Sequence, residues 1–596
     1  MNSLRSLYGT YRNGDVVTFV MEAKTTQPQV LLYDAHSLRL KEKLAFPEEN
    51  RIGRVYYLDY KVQEQEKLVY CFSENGEILP DTRGKAFLKE GEYGTSKEKA
   101  DLKANLPTKP YHWGKVLSPK ISYQDCFMYL LHVRGFTMDE SSNVLEKGTF
   151  LGVTKKLSYL KKCGVTSILF QPIYEFLELE KPDITNPLSC EKLNYWGYKE
   201  GYYFAPKSNY AYTDDPVTEC KQMIHSIHKM GMEVILQMYY PGTVDANIVL
   251  TSLLFWAEEY RVDGFVLMGE NLPKESIQKN PLLADKKLIF EDACENSYGN
   301  TASFDYDYYF SMRRFLKGDG WTLRHALFKL QEKYEKKNTI HFLSNFQGFT
   351  LADLVSYENK HNEANGENNQ DGMNNNESCN YGTEGQTTKK KIVELRLKQV
   401  KNALCLMMLG TGTPMLFMGD ELGNTQLGNN NPYCQDNEIT WLNWKKNRFG
   451  KEIFEAFQTI MELRSRFPLL RPEKPFRMTD YLACGYPDLS YHGREAWRQP
   501  QNPQKGICGI LYSGLYGSEN TDKQSVYLAI NLSDEDAVLA LPNLPVGCDW
   551  ILEYSTEKKD LAFFQQKERE DCISVPAKTI RVYASEIRKV SCKNKK

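Results

Sequence analysis

The 14 cysteines run singly from Cys71 to Cys592 and contain no C-x-x-C pair. That absence excludes a zinc knuckle and a thioredoxin-type redox motif, and leaves reduced thiols as the expectation. Long apolar runs are also missing: no stretch approaches the ~18 residues that cross a bilayer, so no membrane partner is expected. The opening MNSLRSLYGTYRNGD lacks the apolar core of a signal peptide, which points to the cytoplasm. Charge of one sign is scarce too, with 75 Lys plus Arg against 77 Asp plus Glu and a formal charge of -2. Such a balance gives no field for polyanions and argues against nucleic acid as a partner. His225 and His228 lie one helical turn apart without an H-E-x-x-H around them, which describes a helix face rather than a metal site. The glycines in Leu409 to Pro414 fit neither Rossmann nor Walker spacing. Neither a metal nor another cofactor is therefore expected.

What is present is length and alternation. At 596 residues the chain has room for several cores. Residues 1–110 read as short alternating runs, such as VVTFVMEA and QVLLYDA, separated by turn signals, and predict a small β-sandwich. After a segment rich in proline and lysine the rhythm becomes helix then strand. Val153, Leu157 and Leu160 form a helical stripe that Gly164 ends, and VTSILF follows as a buried strand. The unit recurs with MEVILQM (Met232 to Met238), VDGFVLM (Val262 to Met268), KLIF (Lys287 to Phe290), TIHFL (Thr339 to Leu343) and PMLFM (Pro414 to Met418). Repeated units of this kind over residues 111–470 predict a parallel sheet closed as a (β/α)8 TIM barrel. Alternating runs return over residues 471–596 and predict a C-terminal all-β domain.

The aromatics are numerous, with 38 Tyr, 28 Phe and 8 Trp, and suit neutral polyhydroxylated ligands as well as core packing. Composition alone leaves two readings of the stretch from Asn359 to Asn380, a disordered linker or a long loop at the mouth of a barrel.

Several motifs are specific. LHVRGFT (Leu131 to Thr137), NYWGY (Asn194 to Tyr198) and YFAP (Tyr203 to Pro206) resemble glycoside hydrolase family 13 in its isoamylase and glycogen-debranching (pullulanase-like) branch. Two longer segments, Gly348 to Gly372 and Gly412 to Trp444, look like that branch's own signatures. The resemblance spans essentially the whole chain. It implies an N-terminal unit like a family 48 carbohydrate-binding module, the barrel, a C-terminal β-domain, and an ordered loop at the Asn-rich stretch. It also implies a retaining cleavage of α-1,6 branches in glycogen or starch, which takes two carboxyl groups about 5 to 5.5 Å apart, one attacking and one protonating.

The resemblance breaks at the chemistry. The family's first region usually reads as an aspartate, three apolar or aromatic residues, asparagine and histidine; here it is Gln237-Met238-Tyr239-Tyr240-Pro241-Gly242. In the second region the usual arginine and nucleophilic aspartate are Val266 and Met268, and a thioether cannot form the glycosyl ester. The fourth region's histidine and aspartate are Phe346 and Gln347. Only Glu291, at the acid/base position in KLIFED, survives among the seven positions. One well-placed acid contributes roughly 3–5 kcal/mol, whereas enzymes need about 8–23 kcal/mol.

Two functional expectations follow. One is a pseudoenzyme that acts by α-glucan binding or as a partner of an active debranching enzyme. The other is an active α-1,6-glucosidase with relocated carboxylates, Glu270 or Asp245 working with Glu291. Tyr198 matches the family tyrosine that stacks under the sugar beside the scissile bond, and barrel packing accounts for it equally well. Tyr195 and Trp196 are open in the same way between cleft wall and core. Asp420 and Glu421 either line the cleft or cap and pair locally.

Overall fold

The computed structural model describes residues 9–24, 27–63, 66–89, 91–95, 102–180, 191–292, 299–335, 337–500, 506–517, 523–558, 567–568 and 571–587. The first eight residues, part of the opening segment that lacks a signal-peptide core, lie outside this set.

A closed barrel of eight parallel strands organises the chain. The strands are β1 (Met128–Leu131), β2 (Ser167–Phe170), β3 (Glu233–Tyr240), β4 (Gly264–Gly269), β5 (Lys287–Phe290), β6 (Thr301–Phe304), β7 (Asn338–His341) and β8 (Thr413–Phe417). Each pairs with the next in sequence, and β8 returns to β1 through Met128 and Met415. Buried runs such as SILF, GFVLM and KLIF suit strands covered on both faces. The alternating pattern of the sequence marks six of these strands. It passes over β1, merged with the LHVRGFT motif, and β6, whose TASF is too short and polar to stand out.

Helices cover the outside: α1 (Phe150–Lys155), α2 (Leu157–Lys162), α3 (Pro216–Lys229), α4 (Ala246–Glu259), α5 (Tyr306–Lys317), α6 (Leu323–Gln331), α7 (Lys390–Met408) and α8 (Arg448–Arg466). Their ends follow ordinary capping rules. Asp215 accepts from the Thr218 amide at 3.0 Å with Pro216 in the first turn of α3, and Gly318 closes α5 in a left-handed conformation.

Ahead of the barrel, two antiparallel sheets built from strands between Tyr11 and Asn105 share one core. Val17, Phe19 and Met21 alternate inward from one sheet and meet Val30, Leu32, Tyr70 and Phe72 of the other. Beyond α8 a six-stranded sheet and a strand pair hold Tyr527, Ala529, Trp550 and Tyr583 in a separate core. The alternate residues of that sheet, Leu528, Ile530, Ile580 and Val582, belong to the barrel's own core. Period-two alternation thus gives one face to the C-terminal unit and the other to the barrel.

Candidate active site

The positions of the expected catalytic set gather where β3, β4, β5 and β7 end, on the C-terminal face where barrel enzymes do their chemistry. On β4, Val266 and Met268 share a face; the first is fully buried and the second nearly so. Register places Gln237 beside Val266 and Tyr239 beside Met268. Behind Met268 the chain turns at Gly269, where φ is 110° and a Cβ would collide with the Tyr240 carbonyl.

Glu291 follows β5 and is half-buried. Burial raises its pKa and Asp292 adds to the rise, while the Gly269 amide and Lys274 oppose it. A raised carboxyl suits a proton donor, and Met268, at the position where the resemblance expects a nucleophile, carries a thioether.

Around Tyr198 three aromatic rings close in. Phe346 stacks on it, with centroids 4.7 Å apart and planes 21° from parallel, while Tyr239 and Trp196 approach at steep angles, 6.2 and 6.1 Å away. A sugar between two rings needs about twice the ~3.5–4.0 Å carbon contact distance, so this face of Tyr198 has no room for one. Its hydroxyl donates to Gln237 Oε1 and accepts from Gln171 Nε2 at 3.5 Å. Phe346 is itself 5% exposed and braced edge-on by Trp196 at 5.0 Å. Gln347 is exposed, so the cover is the phenylalanine and not the glutamine. This role of Phe346 is not legible in the sequence, where it lies far from Tyr198.

Tyr195, open in the sequence between cleft wall and core, is buried with its ring 4.2 Å from that of His132. His132 Nδ1 accepts from the Gly135 amide at 3.1 Å, so Nε2 carries the proton and donates to the Tyr195 carbonyl at 3.0 Å. Burial pushes this imidazole down to about 4. Asp420 and Glu421 point into the interior and bond mainly to residues distant in the chain. Both are fully buried; Asp420 accepts from Ser344 Oγ and from the Leu351 amide at 2.8 Å. Glu421 accepts from the hydroxyls of Tyr129 at 2.9 Å and Tyr159 at 2.7 Å.

The relocated carboxylates find other tasks or none. Asp245 caps α4 by accepting from the Asn247 amide at 2.8 Å, and Glu270 is exposed just past the turn at Gly269. Among the described residues no cluster of His, Cys, Asp and Glu could hold a metal ion. His225 meets the Tyr111 hydroxyl at 3.1 Å and His228 meets Asp263 at 2.8 Å, so each ring serves packing.

The loops above the barrel are tightly built. Arg134 grips both oxygens of Asp436 at 2.8 Å, the Leu442 amide donates to Gly135, and Trp444 Nε1 donates to Phe136, so two of the sequence motifs hold each other. The Asn-rich stretch is ordered. Asn362 Nδ2 donates to Asn430 Oδ1 at 2.9 Å, and the Asn430 amide returns to Asn362 Oδ1 at 3.0 Å. Asp371 Oδ2 accepts from Asn365 and Asn431, and the Lys360 ammonium sits among the carbonyls of Gln370, Asp371 and Gly372.

A closed barrel of this kind with its site on the C-terminal face defines the broad class of (β/α)8 proteins, and within it the family model "Alpha amylase, catalytic domain" matches residues 131–245. The chain is 30% identical to rice "Isoamylase 3, chloroplastic", over 79% of this chain and 69% of that one. It is 32% identical to the "Glycogen operon protein GlgX homolog" of Haemophilus influenzae, over 62% and 68% respectively. The catalytic module of the glycogen-degrading pneumococcal virulence factor SpuA superposes with a TM-score of 0.73 at 15% identity, covering 98% of each chain. The chain belongs to glycoside hydrolase family 13, in its isoamylase and glycogen-debranching branch.

Proposed function

We propose that this chain is a cytoplasmic, non-hydrolysing member of its branch that serves glycogen or starch metabolism. It acts by holding α-glucan outside the barrel mouth or by associating with an active debranching enzyme. The observation that carries this reading is Phe346 stacked on Tyr198, beside a buried Met268 where the branch has its nucleophile. Glu291 retains the surroundings of a proton donor, but the position where the branch carries its nucleophile is a thioether. Asp245 is committed to a helix cap and Glu270 lies out in solvent, which weighs against hydrolysis by relocated carboxylates. The two sheets within residues 1–110 are the natural seat for a glucan chain, as a carbohydrate-binding-like unit, with residues 111–470 and 471–596 forming the barrel and C-terminal domains.

The test is reducing-sugar release from glycogen, pullulan and limit dextrin by purified full-length protein. Release at the buffer level is expected, unchanged by Glu291→Gln. Release that the substitution abolishes would overturn the reading. Sedimentation with glycogen and co-elution with an active debranching enzyme then separate the two modes of action.

A further inference from the structure

A cavity of about 620 Å³ opens where α7 from Lys390 to Lys401 and the first turn of α8 meet the end of the strand Cys548–Ser555. It shares no lining residue with the barrel mouth. Six cationic side chains line it: Lys390, Lys391, Lys398, Lys401, Arg448 and Lys558. Three carboxylates face them, Glu394, Glu452 and Glu557, which leaves an excess of three positive charges.

The pairing within the cleft is uneven. Glu557 holds Lys398 at 2.6 Å, and Glu394 lies 3.9 Å from Lys390. Glu452 is shared by Lys401 at 3.8 Å, Arg448 at 3.3 Å and Lys558 at 3.3 Å. Burial pushes the Lys401 ammonium down and Lys558 pushes it further, against the pull of Glu452, Glu455 and Glu557. Three cations around one carboxylate in a cleft repel one another, and an added anion relieves that repulsion. The start of α8 at Arg448 contributes field of the same sign. Beside the charges, Leu397 and Phe449 give the cleft an apolar wall, which a bare ion would leave unused.

We propose that this cleft binds a small phosphate-bearing metabolite. Its phosphate sits among Lys401, Arg448 and Lys558, and its uncharged body lies against Leu397 and Phe449. The volume falls within the ~300–1,000 Å³ common for small-molecule sites. A sugar phosphate and a nucleotide share this chemistry. Since the lining comes from two barrel helices and from the C-terminal unit, the ligand ties the two together and raises the melting temperature as it binds.

Calorimetric titration and thermal shift of the full chain test this with ATP, glucose 1-phosphate, inorganic phosphate and glucose. Saturable binding of ATP or glucose 1-phosphate is expected, at least about tenfold tighter than inorganic phosphate, with none for glucose. The tighter ester identifies the body as nucleotide or sugar. Arg448→Glu and the milder Arg448→Gln, at a side chain 82% exposed, leave the ligand-free melting temperature in place and weaken binding by about tenfold or more for the reversal. Three outcomes overturn the proposal: no saturable binding of either ester, inorganic phosphate binding as tightly as the esters, or affinity indifferent to Arg448→Glu.

Discussion

Phe346 does two things at once. It removes a polar side chain from the barrel mouth, and it fills the space above Tyr198 with a ring that Trp196 braces. Both changes act on the ground state as much as on the reaction, since a sugar excluded from the tyrosine face never reaches the bond-breaking geometry. Phe346→Ala therefore has two expected effects. Deleting a buried phenylalanine destabilises the fold by roughly 3–5 kcal/mol, read by denaturant unfolding. The uncovered Tyr198 face gains binding of maltohexaose, read as quenching of Trp196 fluorescence, without release of reducing sugar because Met268 is unchanged. A variant that loses stability but binds no better would show that more than this ring closes the mouth. Met268→Asp carries the opposite lesson. A carboxylate placed in a position only 6% exposed, with Val266 where the branch has its arginine, is destabilising and restores no hydrolysis.

At the level of elements, the loops held together by side-chain hydrogen bonds are the ones that kept their sequence motifs. Arg134 with Asp436, and Asn362 with Asn430, connect segments far apart in the chain. Losing one such partner leaves buried polar atoms unpaired, at about 1–3 kcal/mol each. Asn362→Ala removes the exchange with Asn430 and the bond to the Asp371 carbonyl. It is expected to lower stability by about 2–4 kcal/mol and to speed amide exchange over residues 359–380 selectively. Exchange unchanged in that loop would contradict the network. This also explains what was legible from sequence. Strands such as KLIF announce themselves through apolar runs, and the barrel follows from their repetition. The order of the Asn-rich stretch does not, because asparagine composition is the same whether its amides bond to water or to each other. The cover on Tyr198 was hidden for a similar reason: Phe346 is distant in sequence from NYWGY, and only barrel closure brings the rings together.

Over the whole molecule, buried ionisable groups pull stability in opposite directions with pH. Burial pushes His132 and His492 down to about 4, so they stay neutral when folded yet charge when unfolded near their ordinary 6.5. Their contribution is complete above that value and is lost as pH falls toward 4. Asp420 behaves in the reverse sense. Burial raises it to about 7, with Glu421 and Asp353 adding to the rise against the bonds from Ser344 and Leu351. The folded protein holds this proton while the unfolded chain releases it near 3.8, so the contribution is present at low pH and lost as pH rises toward 7. The substitution Asp420→Asn makes the neutral form permanent: the side-chain oxygen can still accept from the Leu351 amide, and the new amide nitrogen can donate to Ser344 Oγ. The difference in stability between variant and wild type is therefore expected to grow in the variant's favour from pH 4 to 7 and then to level off. Its span is on the order of 4 kcal/mol, set by a shift of about 3 pH units at about 1.4 kcal/mol each. The histidines contribute equally to both proteins and cancel in that difference, while in the variant alone they appear as melting temperatures that rise with pH. Parallel melting curves for the two proteins across this range would mean that Asp420 is ionised when folded, and that Ser344 and the Leu351 amide stabilise its charge fully.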